Sequence, residues 1–290
     1  MERVYILFIL ISACAHAFYN FLMHSSGGSR LFLLIMFFIA AGAANISFLF
    51  SNASITISFI QFIQIYTASA FYVLYQIAVS KSYEKGEISR LYPLTVLSPM
   101  FVPIWAGFFL NERIVLLTII GIIITVIGAI IIKQKHISLR HLKTSLAKEN
   151  SYHGAGYALL ASVFYSIGSV IDKSSIMHFS LSPYLWILLS CMAFNMLIFN
   201  LIIDKNICSQ IRSIHILPVI SAGLIAYISF YTFRVALQHV NVSIAVPIRV
   251  SSVIFAVLLG LFFGKELISQ NKIIGISTII IGILIINSSI

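Results

Sequence analysis

The sequence predicts an all-α membrane protein in which ten transmembrane helices form two inverted five-helix repeats. Composition is the first reason. Of 290 residues, 60 % are hydrophobic and 9 % are charged, and the mean hydropathy is +1.04. A soluble domain of this size cannot hide so much apolar side chain, so the solvent is lipid. Ten apolar stretches, each near the roughly 20 residues that span a bilayer, are the second reason. The third is an internal repeat. A shift of 154 residues places Glu112 on Glu266, Pro93 on Pro247, Gly121 on Gly275 and Gly128 on Gly282. Four coincidences at one offset, each inside matching apolar text, mark a duplicated unit.

The spans are expected at 3–23, 30–50, 57–80, 88–110, 114–133, 154–174, 183–203, 215–238, 242–263 and 271–288. The longest polar segment, 133–153, divides them five and five. Residues 1–133 make the first repeat, 134–153 a basic linker, and 154–290 the second repeat. Five is odd, so two homologous halves joined this way sit upside down relative to each other. In secondary transporters built on this plan the substrate lies near the membrane midplane, between the halves. The expected result is two antiparallel bundles around a hydrophilic hollow.

The first span has one Arg before its apolar run and no convincing cleavage site, so it reads as a membrane helix, not a removed signal. The fourth span carries Pro93, Pro99 and Pro103. Each proline removes a backbone donor and crowds the carbonyl four residues back, so the helix bends or loosens. In lipid, broken backbone is tolerated against protein or a water-filled cavity; a kinked packing helix is the blander alternative. The ninth span repeats the pattern with Pro247. Glycines seven apart in the fifth and tenth spans permit close helix approach. They are expected to pack each span against its own half, or across a homodimer.

The net charge of +10 does not point to nucleic acid. The charges sit in short pieces between spans, where they meet lipid headgroups and set orientation. Cys14 and Cys191 lie inside spans and Cys208 near a span end, which gives neither a disulfide framework nor metal-ligand spacing. No metal and no cofactor are expected.

The turn Leu110-Asn111-Glu112-Arg113 after Ser98-Pro99-Met100-Phe101, the glycine-spaced fifth span and the repetition of the whole resemble the drug/metabolite transporter superfamily, EamA type. The opening His16-Ala17-Phe18-Tyr19-Asn20 resembles one found in a branch of these proteins. The likeness covers nearly the whole chain. It departs where Val253 replaces Pro99 and where Gly264-Lys265-Glu266 replaces Asn-Glu-Arg. The resemblance implies a ten-helix permease in a membrane, expected to be a bacterial cytoplasmic (inner) membrane, with export the commoner role and both termini inside. The charge count disagrees about the termini. Arg3, Arg113 and Lys173 lie on the face of the termini, whereas Arg30, Lys81, Lys85, Arg90, Lys133, Lys135, Arg140, Lys143, Lys148, Lys205, Arg212, Lys265 and Lys272 lie on the linker face. The excess of Lys and Arg favours a cytoplasmic linker and termini outside.

Polar groups inside a membrane are expensive and mark pathways. Arg249, two residues after Pro247, cannot shed its charge. It is expected to attract an anionic or zwitterionic solute, unless carbonyls loosened by the proline hold it. All eight acidic residues, Asp172 included, fall in turns or at span ends. Arg234 follows Tyr227, Phe230 and Tyr231 on one helix face, a cation–π arrangement or a snorkelling side chain. His16 and Asn20 share a face of the first span. At an offset of 149 they meet Tyr165 and Ser169 of the sixth, so both halves carry a polar stripe. His16 is the mid-span group suited to proton coupling. Tyr75 and Tyr92 add cavity walls, Pro93, Pro99 and Pro247 the kinks. Glu112 and Glu266 read as caps for the helix that follows each of them.

The function expected is secondary transport of a small polar metabolite, an amino acid for example, with one half rocking against the other. Efflux of lipophilic cations is the alternative within the superfamily, but it depends on a membrane-embedded carboxylate. A non-transporting scaffold or receptor is the alternative of another class. An intramembrane enzyme would need paired acids or a metal motif, and none is present.

Overall fold

The computed structural model describes residues 2–25, 30–53, 57–84, 94–133, 149–203, 215–263 and 268–289. Among these the chain forms eleven helices. They are α1 (Glu2–Ser25), α2 (Arg30–Leu49), α3 (Phe59–Glu84), α4 (Ser98–Leu110), α5 (Leu116–Lys133) and α6 (Glu149–Ile176), then α7 (Leu181–Ile203), α8 (Ile216–Leu237), α9 (Val242–Arg249), α10 (Ser252–Phe262) and α11 (Gln270–Ser288). Eight spans are long and apolar enough to cross a membrane, α9 and α10 counting together as one, and two shorter apolar helices, α4 and α5, bring the total to ten. The starts of α1, α3, α5, α7 and α9 therefore share a face with both termini. The end of α5 and the start of α6, between which the linker runs in sequence, share the opposite face, hereafter the linker face.

One kind of break recurs in both repeats. Past Pro247 the helix loosens into 3₁₀-type bonds: Val250 N–H donates to the Pro247 carbonyl at 3.1 Å and Ser251 N–H to that of Ile248 at 3.0 Å. This separates α9 from α10. At the equivalent place in the first repeat, Leu97 N–H donates to the Leu94 carbonyl at 3.4 Å and Met100 N–H to that of Leu97 at 2.9 Å. Pro99 itself sits in the first turn of α4, where a missing N–H costs nothing, so it starts a helix and does not kink one. Pro93 lies outside the described residues.

Packing follows a two-fold pattern between the repeats. α3 packs on α6 as α1 packs on α8, and α2 meets α8 as α7 meets α3. α4 lies against α6 as α9 and α10 lie against α1, while α2–α7, α4–α9 and α5–α11 pair across the axis. These principal contacts all join one repeat to the other, so the repeats interleave and do not stand as two separate bundles.

The glycine expectation is corrected accordingly. α5 packs on α11, from the other half. A Cβ on Gly128 would lie 2.7 Å from Ile279 N and 2.8 Å from Gly275 O, and one on Gly282 2.7 Å from Thr125 N and 2.8 Å from Gly121 O. Backbone meets backbone at all four glycines because two matched small-residue faces oppose each other.

The turn after α4 explains its sequence. Asn111 adopts φ +53°, a left-handed cap that asparagine tolerates. The cap closes α4 and frees Glu112. Its carboxylate then accepts from the backbone N–H of Val242 at 2.9 Å and of Ser243 at 3.1 Å, and from the Ser243 hydroxyl at 2.5 Å. Glu112 is a cap, but of α9 in the other repeat, not of the α5 helix that follows it. The fold, not chain order, brings that N-terminus closest. Glu266 lies outside the described residues.

Candidate functional site

The breaks in the fourth and ninth spans border a cavity of about 420 Å³. It runs from Tyr165 and Arg249 toward the linker face, where Met23 of α1 and Lys272 of α11 line it. α1 supplies His16 and Asn20, α3 Tyr75 and Gln76, the turn before α4 Thr95, α4 Ser98 and Pro99, and α10 Ser252. No Asp or Glu is among the lining residues, and its charged residues, Arg249 and Lys272, are both basic.

Arg249 stands at the end of α9, 8 % exposed. Its Nη1 donates to the Tyr165 hydroxyl and its Nη2 to the Ser229 hydroxyl, both at 3.3 Å. The guanidinium lies 4.3 Å above the Phe233 ring centroid, a cation–π contact. Its Nε is buried without a hydrogen-bond partner among the described residues. The loosened carbonyls of the ninth span do not hold it. A full charge thus rests on two long bonds to neutral hydroxyls and a ring, at the edge of a cavity. Among the described residues no carboxylate offsets the cost of burying it.

The α1 stripe is braced locally. The Tyr19 hydroxyl lies 2.6 Å from His16 Nδ1, and Asn20 Nδ2 donates to the His16 carbonyl at 2.8 Å. One His16 ring nitrogen and the Asn20 Oδ1 remain for other partners. Tyr165 packs edge-on against Tyr75, with ring centroids 5.2 Å apart. Arg249, His16, Asn20, Tyr75 and Tyr165 therefore meet at one cavity, whose lining includes Val246 but not Pro247. Ser169 does not join them: it is fully buried and its hydroxyl donates to the Tyr165 carbonyl at 2.8 Å. Tyr231 also stays apart and pairs with Tyr227 at 6.0 Å. Tyr92 is outside the described residues. Sequence reading missed Tyr19, Ser229, Phe233 and Thr95. The three-residue step from His16 to Tyr19 and the four-residue step from Ser229 to Phe233 are the helical signals that point to them.

The acid reading needs correction. Asp172 lies inside α6 and is fully buried, because α3, α7 and α8 converge on the last turns of that helix. It pairs with Arg234 Nη2 at 2.6 Å, accepts from the Tyr72 hydroxyl at 2.6 Å, and accepts from the Tyr184 hydroxyl. Arg234 does not snorkel. It lies 4.8 Å over Phe230 and 5.8 Å over Tyr72, without Tyr227 or Tyr231. Beside this pair, Lys173 Nζ donates to the carbonyls of Leu237 at 2.5 Å and Val240 at 3.1 Å. The first is an orphan acceptor at the end of α8, where a cation is favoured, and the second lies in the turn just beyond it.

A largely apolar cavity that gathers an arginine, a histidine, an asparagine and two tyrosines, within an all-helical, internally repeated fold, is the setting for a solute pathway. A model of the EamA-like transporter family matches residues 3–134 and 153–288. The chain belongs to that family. Among the EamA-like transporter's solved neighbours is one crystal structure of a protein that aligns with TM-score 0.79 and 13 % identity, covering 100 % of this chain and 99 % of its own. At that identity the likeness concerns the fold alone. Among curated proteins none matches the chain. The family is one of transporters rather than enzymes, and its members are multi-pass membrane proteins, as the apolar helices of this chain require.

Proposed function

We propose that this EamA-like protein is a secondary transporter that exports a small anionic or zwitterionic metabolite, such as an amino acid, by alternating access around Arg249. One observation carries the reading. Arg249 is a buried permanent cation with no carboxylate partner among the described residues, and it borders a cavity without acids. A carboxylate or phosphate group in that cavity would supply the missing anion through charge-assisted bonds. Asn20 Oδ1 and the rings of Tyr75 and Tyr165 offer partners for a hydroxyl or ammonium group on the same solute. The cavity volume falls in the range of small-molecule sites. Export is the commoner role that the resemblance implies. The cavity runs toward the basic linker face, which the positive-inside rule places in the cytoplasm.

Lipophilic-cation efflux is disfavoured on the same grounds. Asp172 is a membrane-embedded carboxylate, but Arg234 already neutralises it, and it lies outside the cavity.

The test is flux in proteoliposomes, screening anionic and amino-acid metabolites by mass spectrometry against Arg249→Ala. A saturable flux is expected in the parent. The substitution should weaken apparent affinity at least about 100-fold, the scale of losing one buried charge pair. Equal flux in both proteins would remove Arg249 from the site, and transport of hydrophobic cations alone would overturn the substrate class.

A further inference from the structure

The cavity ends at Tyr165 and Arg249, and what lies beyond it toward the termini is charged. Asp172, Arg234 and Lys173 are buried there, and Glu112 reaches in from the turn after α4. Arg249 apart, these account for the buried charged side chains among the described residues. A membrane protein that needed only packing at this level would use apolar side chains, since well-packed hydrophobic replacements of a buried ion pair are often neutral or stabilising. Charges in such a place make a junction that has two states, intact and broken, because water can replace the partners once the junction parts.

We propose that the Asp172–Arg234 pair, with the Tyr72 and Tyr184 hydroxyls, is the closed gate of the transport path on the face of the termini. The proposal rests on reading the cavity as that path. Four helices meet in the cluster: Asp172 from α6, Arg234 from α8, Tyr72 from α3 and Tyr184 from α7. Two further tethers hold the α8–α9 connection shut. Lys173 binds the carbonyls at the end of α8, and Glu112 binds the N–H groups at the start of α9. The gate is in contact with the site it guards. Tyr165, which accepts from Arg249, packs edge-on against Tyr72 at 5.8 Å. Ser229 and Phe233, which hold Arg249 from below, precede Arg234 on α8. An anion that draws Arg249 away from Ser229 and Phe233 therefore acts on the helix that carries Arg234.

The experiment reads solvent access from each face and needs no substrate. Ser169, fully buried between Tyr165 and Asp172 on α6, becomes the reporter as Ser169→Cys, in a protein whose Cys14, Cys191 and Cys208 are alanine. A membrane-impermeant methanethiosulfonate is applied to oriented vesicles from one face at a time. Three gate variants are compared with the parent gate: Asp172→Asn, the neutral pair Asp172→Asn with Arg234→Gln, and Tyr184→Phe. Tyr184→Phe keeps the ion pair, so it guards against loss of folding in the other two. Slow labelling from both faces is expected with the gate intact. Each folded variant should label at least about tenfold faster from the termini face and no faster from the linker face, a modest population shift. An unchanged rate from the termini face, or an equal rise from both faces, overturns the gate. Because the labelling needs no transported solute, its failure leaves the Arg249 flux result standing.

Discussion

Arg249 and Arg234 are the same residue type in the same membrane, and their surroundings give them opposite energetic signs. Arg234 is paired, hydrogen-bonded and 1 % exposed. Removing it strands Asp172 as a buried anion, which costs roughly 3–5 kcal/mol. Among the described residues Arg249 has no anion to strand, and its Nε lacks a partner. Arg249→Met should therefore leave thermal stability in detergent unchanged or raised while abolishing flux, whereas Arg234→Met should lower the melting temperature sharply. Scanning calorimetry or a fluorescence melt of the two variants decides this, and a drop with Arg249→Met as large as with Arg234→Met would contradict it. The contrast also marks what was legible at this scale. A lone arginine after a proline, in a span without acids, is visible in one dimension, and His16, Asn20, Tyr75 and Tyr165 gather around it. Asp172 was not legible as its partner-in-waiting for Arg234. Nothing local says that the last turns of α6 are enclosed by three other helices, which turns a span-end acid into a buried one.

Among the elements, α5 and α11 show how little freedom the closest contact leaves. Gly128→Ala would put a methyl within 2.8 Å of backbone atoms of α11, and backbone cannot rotate away as a side chain can. Such overpacking costs about 1–3 kcal/mol. Gly42, in α2, has nothing within 4 Å of its added Cβ, so Gly42→Ala should gain up to about 1 kcal/mol of helix propensity. Opposite shifts in the melting temperature of these two alanine variants are the expected outcome, and equal shifts would mean that α5 and α11 are not in backbone contact. The seven-residue spacing announced the close approach but not its partner. Any helix with a small-residue face satisfies the pattern, and choosing among them requires the two-fold arrangement. Glu112 carries the same lesson. The dipole argument assigns an acid to the nearest helix start, and along the chain that is α5. In space it is α9, because the left-handed Asn111 turns the carboxylate out of its own hairpin. By contrast, Pro247 marked from sequence alone a span whose helix would loosen, since a missing N–H acts on its own helix whatever surrounds it; that the break would be 3₁₀ and fall after Arg249 was not legible.

Across the whole molecule, by chain order alone, thirteen of the 18 Lys and Arg residues belong to segments that join helix ends on the linker face, the face toward which the cavity runs. The positive-inside rule then favours termini outside the cytoplasm, against the usual expectation for this kind of permease, and we propose that orientation. An epitope tag placed after Ile290 should bind antibody on intact cells, without permeabilisation. Binding confined to permeabilised cells would reverse the orientation and turn the described state outward. The interleaving of the repeats bears on something earlier than transport, the making of the protein. During synthesis the first five spans leave the insertion machinery before α6, α7, α8 and α11 exist, and those are the neighbours that α3, α2, α1 and α5 need. The early half must wait, exposed polar groups and all, sheltered by the translocon or by loose lipid contacts until its counterpart arrives. A ribosome that stops at the linker therefore releases a chain that lacks the principal packing partners of its helices.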